Sequence, residues 1–117
     1  MTHHDLVARI YAAYNRQDAD ALLELVDEDV DWPDGPDGPG RLHGRAELRA
    51  YWLRQWADTH TRDDVAGIDT PAPDRIVVRI DQVVRTPSGT ELSAGSFEHR
   101  YRLAADGLVA RLDIRRL

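Results

Sequence analysis

The run "FEHRYRLAADGLVARLDI", residues 97–114, changes sides with every residue on either flank of a turn. Before the turn, Phe97, His99, Tyr101 and Leu103 fall on one side, and Glu98, Arg100 and Arg102 on the other. Successive side chains of an extended chain point to opposite faces, so this is a strand with one aromatic face and one charged face. After Ala-Asp-Gly, Leu108, Ala110, Leu112 and Ile114 share a face, opposed by Arg111, Asp113 and Arg115. Two such segments joined by a glycine-containing turn predict an antiparallel hairpin.

The pattern extends upstream. "RIVVRIDQVVR", residues 75–85, alternates as well, with Arg79, Asp81 and Arg85 on one face, and "TPSG" joins it to "TELSAGSFEHRYRL", residues 90–103. A weaker strand is expected at residues 65–69. The charged side of these strands holds six arginines against three acids, which reads as cross-strand ion pairs on an outer face or as an anionic-partner surface.

The first half of the chain follows a helical period instead. In "THHDLVARIYAAYNRQD", residues 2–18, Thr2 and Asp5 stand at capping-box spacing, and Leu6, Val7, Ile10, Tyr11 and Tyr14 recur along one helix. Asp18 is placed to cap a second helix that stacks Leu22, Leu25 and Val26. A short strand at residues 30–32 runs into "DWPDGPDGPGRLHG", residues 31–44, a stiff, shaped loop. "GRAELRAYWLRQWAD", residues 44–58, predicts a third helix with Leu48, Trp52, Gln55 and Trp56 on a stripe and Tyr51 beside it. Helix, helix, strand, helix, then consecutive antiparallel strands is an α+β plan, with the helices on one face of a curved sheet.

Composition narrows the chemistry. The 117 residues correspond to a single domain, 1–117. There is no cysteine and no lysine; all 15 basic residues are arginine. Thiolate nucleophiles, Cys-based metal sites and Schiff-base chemistry are thereby excluded. A net charge of −6 speaks against nucleic acid as a partner. No apolar run is long enough to span a membrane and no signal-peptide pattern opens the chain, so the expected location is the cytoplasm. His3, His4, His43 and His60 show no metal-ligand spacing, and no metal is expected.

"YAAYNRQDADALLELVDEDVDW" (11–32), "LHGRAELRAYW" (42–52) and "EHRYRLAADGLVARLDI" (98–114) together resemble the NTF2-like superfamily, in its SnoaL-like and ketosteroid isomerase-like branches. The resemblance implies a cone, an α+β roll of the cystatin-like kind. Three N-terminal helices would pack in a strongly curved, mostly antiparallel sheet around an internal pocket. It also implies a homodimer through the outer sheet face. It sets Asp34 where the isomerase relatives carry a general base and His99 where they carry an oxyanion donor. Their tyrosine donor falls at Ile10, with Tyr14 one turn further along the helix.

Each of these residues also has a plainer reading. Asp34, like Asp37, suits a Pro-Asp-Gly turn, and His99 suits a satisfied core position. The expected lining for a small, largely apolar ligand comprises Trp32, Trp52, Gln55, Phe97, Tyr101 and Leu112. The function expected is cofactor-free proton transfer next to a carbonyl, as in isomerases and cyclases. The alternatives are a non-catalytic ligand-binding or dimeric scaffold module, or a hydrolase variant.

Overall fold

The computed structural model describes residues 1–117. Thr2 starts α1 (His3–Asn15): its hydroxyl accepts from the Asp5 amide at 3.0 Å, and the Asp5 carboxylate accepts from the Thr2 amide at 3.1 Å. This reciprocal pair satisfies two amides that a helix start leaves bare. Leu6, Val7, Ile10 and Tyr11 are buried along it. Asp18 caps α2 (Ala19–Leu23) through the Ala21 amide.

The second helix is shorter than its apolar spacing predicts. Val26, expected on its inner side, opens β1 (Val26–Pro33) and lies beside Val109 in a parallel pairing. A helix of about one turn is marginal by itself, and pairing with the sheet takes the residues that follow it. β2 (Arg41–His43) returns antiparallel, with Leu42 opposite Trp32. The Pro/Gly loop between them is closed by the Asp34 amide on the Gly40 carbonyl at 2.9 Å. α3 (Gly44–Asp58) follows at once, and Gly44 turns the chain at φ +83°, a conformation that glycine adopts without steric cost.

β3 (His60–Ala72), β4 (Arg75–Arg85), β5 (Glu91–Leu103) and β6 (Val109–Arg116) complete a six-stranded curved sheet in the order β2-β1-β6-β5-β4-β3. Every neighbouring pair is antiparallel except β1 with β6. β3 is 13 residues long, far beyond the expected 65–69. Its first half carries the polar Thr61 and Asp63 inward, which disguised it as a loop.

The hairpin's central register is as predicted: Phe97, His99 and Tyr101 are buried against the helices, and Arg100 and Arg102 are exposed. β6 departs from strict alternation. A register shift between Arg102 and Leu103 sets Val109 opposite Leu103 and Arg111 opposite Arg102. Val109, rather than Leu108 or Ala110, is therefore the fully buried residue. One extra residue in a strand is the signature of a β-bulge, which period-two reading cannot foresee.

Twenty-one buried hydrophobic residues form one core cluster. Trp52 is its largest fully buried side chain, stacked on Trp56 and edge-on to Trp32. Trp52→Ala should destabilise the domain by about 3–5 kcal/mol, because packing collapses only partly around a lost indole. Leu53→Ala, on the exposed side of the same helix (44% exposed), should stay within about 0.5 kcal/mol of wild type. Urea unfolding followed by tryptophan fluorescence separates the two.

Candidate functional site

Helix α1 crosses the inner face of the sheet so that Tyr11 meets the centre of β5. Its hydroxyl lies 2.7 Å from His99 Nδ1 and 2.8 Å from the Tyr101 hydroxyl, all within the buried interior. The Tyr11 and His99 rings stack with centroids 5.9 Å apart. Two proton arrangements satisfy this chain. In one, Tyr101 donates to Tyr11 and Tyr11 to His99. In the other the direction reverses, and the Tyr101 hydroxyl proton is left free for another acceptor. Burial holds the His99 ring down to about 4, so it is a neutral imidazole at pH 7.

A cavity of about 60 Å³ opens beside this chain. Ile10, Leu22, Trp32 and Leu112 make its apolar walls. Tyr11, Tyr14, Asp63, Gln82, His99 and Tyr101 bring polar groups to it. Asp63 enters from β3 and is only 3% exposed. Its backbone is bracketed by the Asn15 side chain at the end of α1: Asn15 accepts from the Asp63 amide and donates to its carbonyl, both at 2.8 Å. One carboxylate oxygen accepts from Gln82 Nε2 at 2.9 Å. The other has no protein donor.

Burial pushes the Asp63 carboxyl up to about 6, against the opposing pull of the Gln82 hydrogen bond. Burial also raises the three tyrosines above the ordinary phenol range, and the nearby Asp63 charge adds to this at each of them. At neutral pH the cavity thus holds a carboxylate poised close to its titration point, neutral phenols and a neutral imidazole. That is a set able to accept a proton and to donate hydrogen bonds at the same time.

The expected site is rearranged. His99, Tyr14, Trp32, Tyr101 and Leu112 do line the cavity. Asp34 does not: it is exposed in the Pro/Gly loop, with its backbone tied to Gly40. Asp37 is turned outward to Arg116. Tyr14 packs edge-on to Trp56, and Tyr11, one turn earlier, is the hydroxyl on His99.

Trp52 and Phe97 are core residues outside the cavity, Phe97 beneath the Arg116 guanidinium at 4.8 Å. Gln55 is half-buried and does not line the cavity; its backbone carbonyl accepts from the Thr59 hydroxyl. The cavity is also smaller than the deep cone pocket expected, with room for a few waters. Sequence reasoning missed Asp63 and Gln82. Gln82 had a legible signal, since assigning Arg79, Asp81 and Arg85 outward leaves Gln82 facing inward among valines and isoleucines.

The sequence profile of the SnoaL-like domain matches residues 7–112. The chain belongs to the SnoaL-like domain family. No functionally curated protein sequence matches it. The domain superimposes on an NTF2-like protein of unknown function from Burkholderia pseudomallei with a TM-score of 0.82 at 23% identity, covering 100% of this chain and 92% of that one. A Mycobacterium tuberculosis protein in complex with estradiol-17beta-hemisuccinate gives 0.81 at 17% identity, with 95% and 90% covered. The epoxide hydrolase/cyclase-like enzyme SalBIII, of pyran ring formation in salinomycin, gives 0.82 at 18%, with 97% and 89% covered. At these identities the likeness shows the fold of the SnoaL-like domain, with its helices and mixed sheet.

Asp63 and His99 tilt the pH dependence of this domain in opposite directions. Asp63 has a folded value above its unfolded one, so its contribution is present below about 3.8 and is lost as pH rises through about 6. His99 has a folded value below its unfolded one, so its contribution is present above about 6.5 and is lost as pH falls toward 4. Between pH 4 and 6 the two slopes largely cancel. Measured against wild type, Asp63→Asn should gain stability as pH rises through that window, and His99→Phe should lose it. Each change is on the order of 2–3 kcal/mol. Unfolding curves at four or five pH values read the slopes directly, and slopes of the reverse sign would contradict the desolvation described.

Proposed function

We propose that this domain binds a small, largely apolar organic molecule in the cone and moves a proton next to its carbonyl group, without a cofactor. One observation carries the reading: a buried carboxylate with an unpartnered oxygen and several neutral hydroxyl donors open onto the same cavity. Asp63, in place of Asp34, is the base. Its free oxygen takes a proton from the carbon beside the carbonyl, and the electron pair of that C–H bond moves into the enolate. Tyr14 or Tyr101 donates a hydrogen bond to the enolate oxygen, and Asp63 returns the proton to carbon.

Neutral His99 holds Tyr11 and, through it, Tyr101 in place. A positioned base supplies typically ~10²–10⁴-fold in rate, and preorganised donors in a water-poor site supply a comparable share. The small cavity admits the reacting carbonyl and its neighbouring carbons, well short of the ~300–1,000 Å³ of a pocket enclosing a drug-sized ligand. The ligand complex of the Mycobacterium tuberculosis protein and the chemistry of SalBIII support a small-molecule role for this fold.

Proton–deuterium exchange into a panel of cyclic ketones and 1,3-dicarbonyls, followed by NMR in D₂O, tests the reading. Wild type should catalyse exchange with a rate that rises through an apparent pKa near 6, the Asp63 value. Asp63→Asn should lose ~10²-fold or more, and Asp34→Ala should retain the wild-type rate. Full exchange by Asp63→Asn, or its loss in Asp34→Ala, would return the base to the loop. The small volume of the cavity favours a second reading, a binding module without chemistry. Tryptophan-detected ligand binding with no exchange on any carbonyl would select it.

A further inference from the structure

Asp63 is the one buried acid of the molecule, and no cation meets it. Arginines pair with Asp31, Asp37 and Asp113, but none lines the cavity that Asp63 enters. Gln82 stabilises its charge at one oxygen, and the neighbouring Asp64 works against it. Taking a carboxylate out of water without a paired cation is costly. A fold that keeps such a group at a cavity wall leaves a place for a positive charge from outside.

The walls suit an organic cation. Tyr11, Tyr14, Trp32 and Tyr101 bring aromatic rings to the same volume as the Asp63 carboxylate. Such rings attract an ammonium group through their electron-rich faces, most strongly where water is excluded. A metal ion is a poorer match, because hard cations take several oxygen ligands and Asp63 is the only acid lining the cavity. At about 60 Å³, against ~30 Å³ for one water, the space suits a cation of about two or three heavy atoms. Asp63 alone sets the charge there near neutral pH. Gln82 from β4 is uncharged, His99 of β5 is neutral above about 4, and burial keeps the phenols of α1 and β5 protonated. Leu22 of α2, Trp32 of β1 and Leu112 of β6 add no charge.

We propose that the cavity binds a small alkylammonium ion, whose N–H donates to the free Asp63 oxygen while its alkyl group lies against the aromatic walls. Charge-assisted hydrogen bonds of this kind are the strong ones, and the aromatic lining adds to them. The ligand class goes beyond the proton-transfer reading and does not rest on it, since binding is measured without turnover. An ammonium on that oxygen also excludes a carbonyl substrate from the same base.

NMR titration of the ¹⁵N-labelled protein with methylammonium and ethylammonium, at constant ionic strength in sodium chloride, tests it. Methanol and ethanol serve as their neutral isosteres and acetate as the anion. At about pH 7.5 both ammonium ions should shift the amides around Asp63, Gln82 and His99 with millimolar affinity. The alcohols should bind about tenfold more weakly or worse, and acetate should not bind. Affinity should fall about tenfold per pH unit below 6, as Asp63 takes up a proton and loses its charge. Asp63→Asn should lose about tenfold or more, and Asp34→Asn, which removes an exposed acid from the loop, should keep the affinity. The wild-type pH profile tests the same carboxylate should Asp63→Asn fail to fold. No ammonium binding, shifts confined to exposed acids, equal binding of ethanol and ethylammonium, or affinity flat from pH 5 to 7.5 would overturn the inference. Deuterium exchange into ketones is read separately, so either result can fail while the other stands.

Discussion

Everything chemical in this domain depends on the side-chain alternation of β5. Its inward residues, Phe97, His99 and Tyr101, give the helices an aromatic surface to pack on, and its outward residues, Glu98, Arg100 and Arg102, give solvent a charged one. Because the period is two, a slip of one residue would drive arginines into the core and expose the histidine. The pairing with β4 and β6 prevents it: His99 is fixed between Val78 and Ile114, and Tyr101 between Ile76 and Leu112. Apolar neighbours on both sides make any other register costly.

The interior then has to satisfy what that register buries. A histidine and two tyrosines in the core would each lose solvation without a partner. Tyr11 answers for all three through one hydroxyl shared with His99 and Tyr101. This fixes how α1 lies across the sheet, and the fixed helix in turn presents Asn15 to the backbone of Asp63. The carboxylate of Asp63 is thus held by a rigid support built from a helix end and two strands, with Gln82 on one oxygen. A buried carboxylate so placed is desolvated yet not neutralised by any cation, which is why its pKa rises to about 6.

The outer face has the opposite economy. Arg41, Asp31, Arg111 and Asp113 form a closed ion-pair network that joins β1, β2 and β6, with Arg41 also donating to the Leu112 carbonyl at 2.8 Å. It anchors the short β2, and so the near end of the Pro/Gly loop. Asp37 at the loop's tip is held separately by Arg116, which also covers Phe97. The loop is a strap on the rim of the sheet: Asp37 pairs with Arg116, and Asp34 is exposed and does not line the cavity.

Local sequence determined the caps, the hairpin and the choice of faces. Thr2 with Asp5, Asp18 before α2, the limits of α3 and β4, and the inward set of β5 all follow from side-chain chemistry within a few residues of each position. The same holds for Gly107, whose φ of +84° belongs to the turn that returns β5 into β6. Only the tertiary structure decided what lay across strands. Val26 left its helix because Val109 was there to pair with, and a bulge gave the inward place to Val109. Asp63 became a cavity residue because strand pairing with β4 and the Asn15 clamp carried a polar stretch into the interior. Asp34 remained a loop residue although its position along the chain suited a base. Periodicity reports which way a side chain faces within its own element. It cannot report which polar groups from distant elements will share one buried volume, because that is set by packing and by long-range hydrogen bonds.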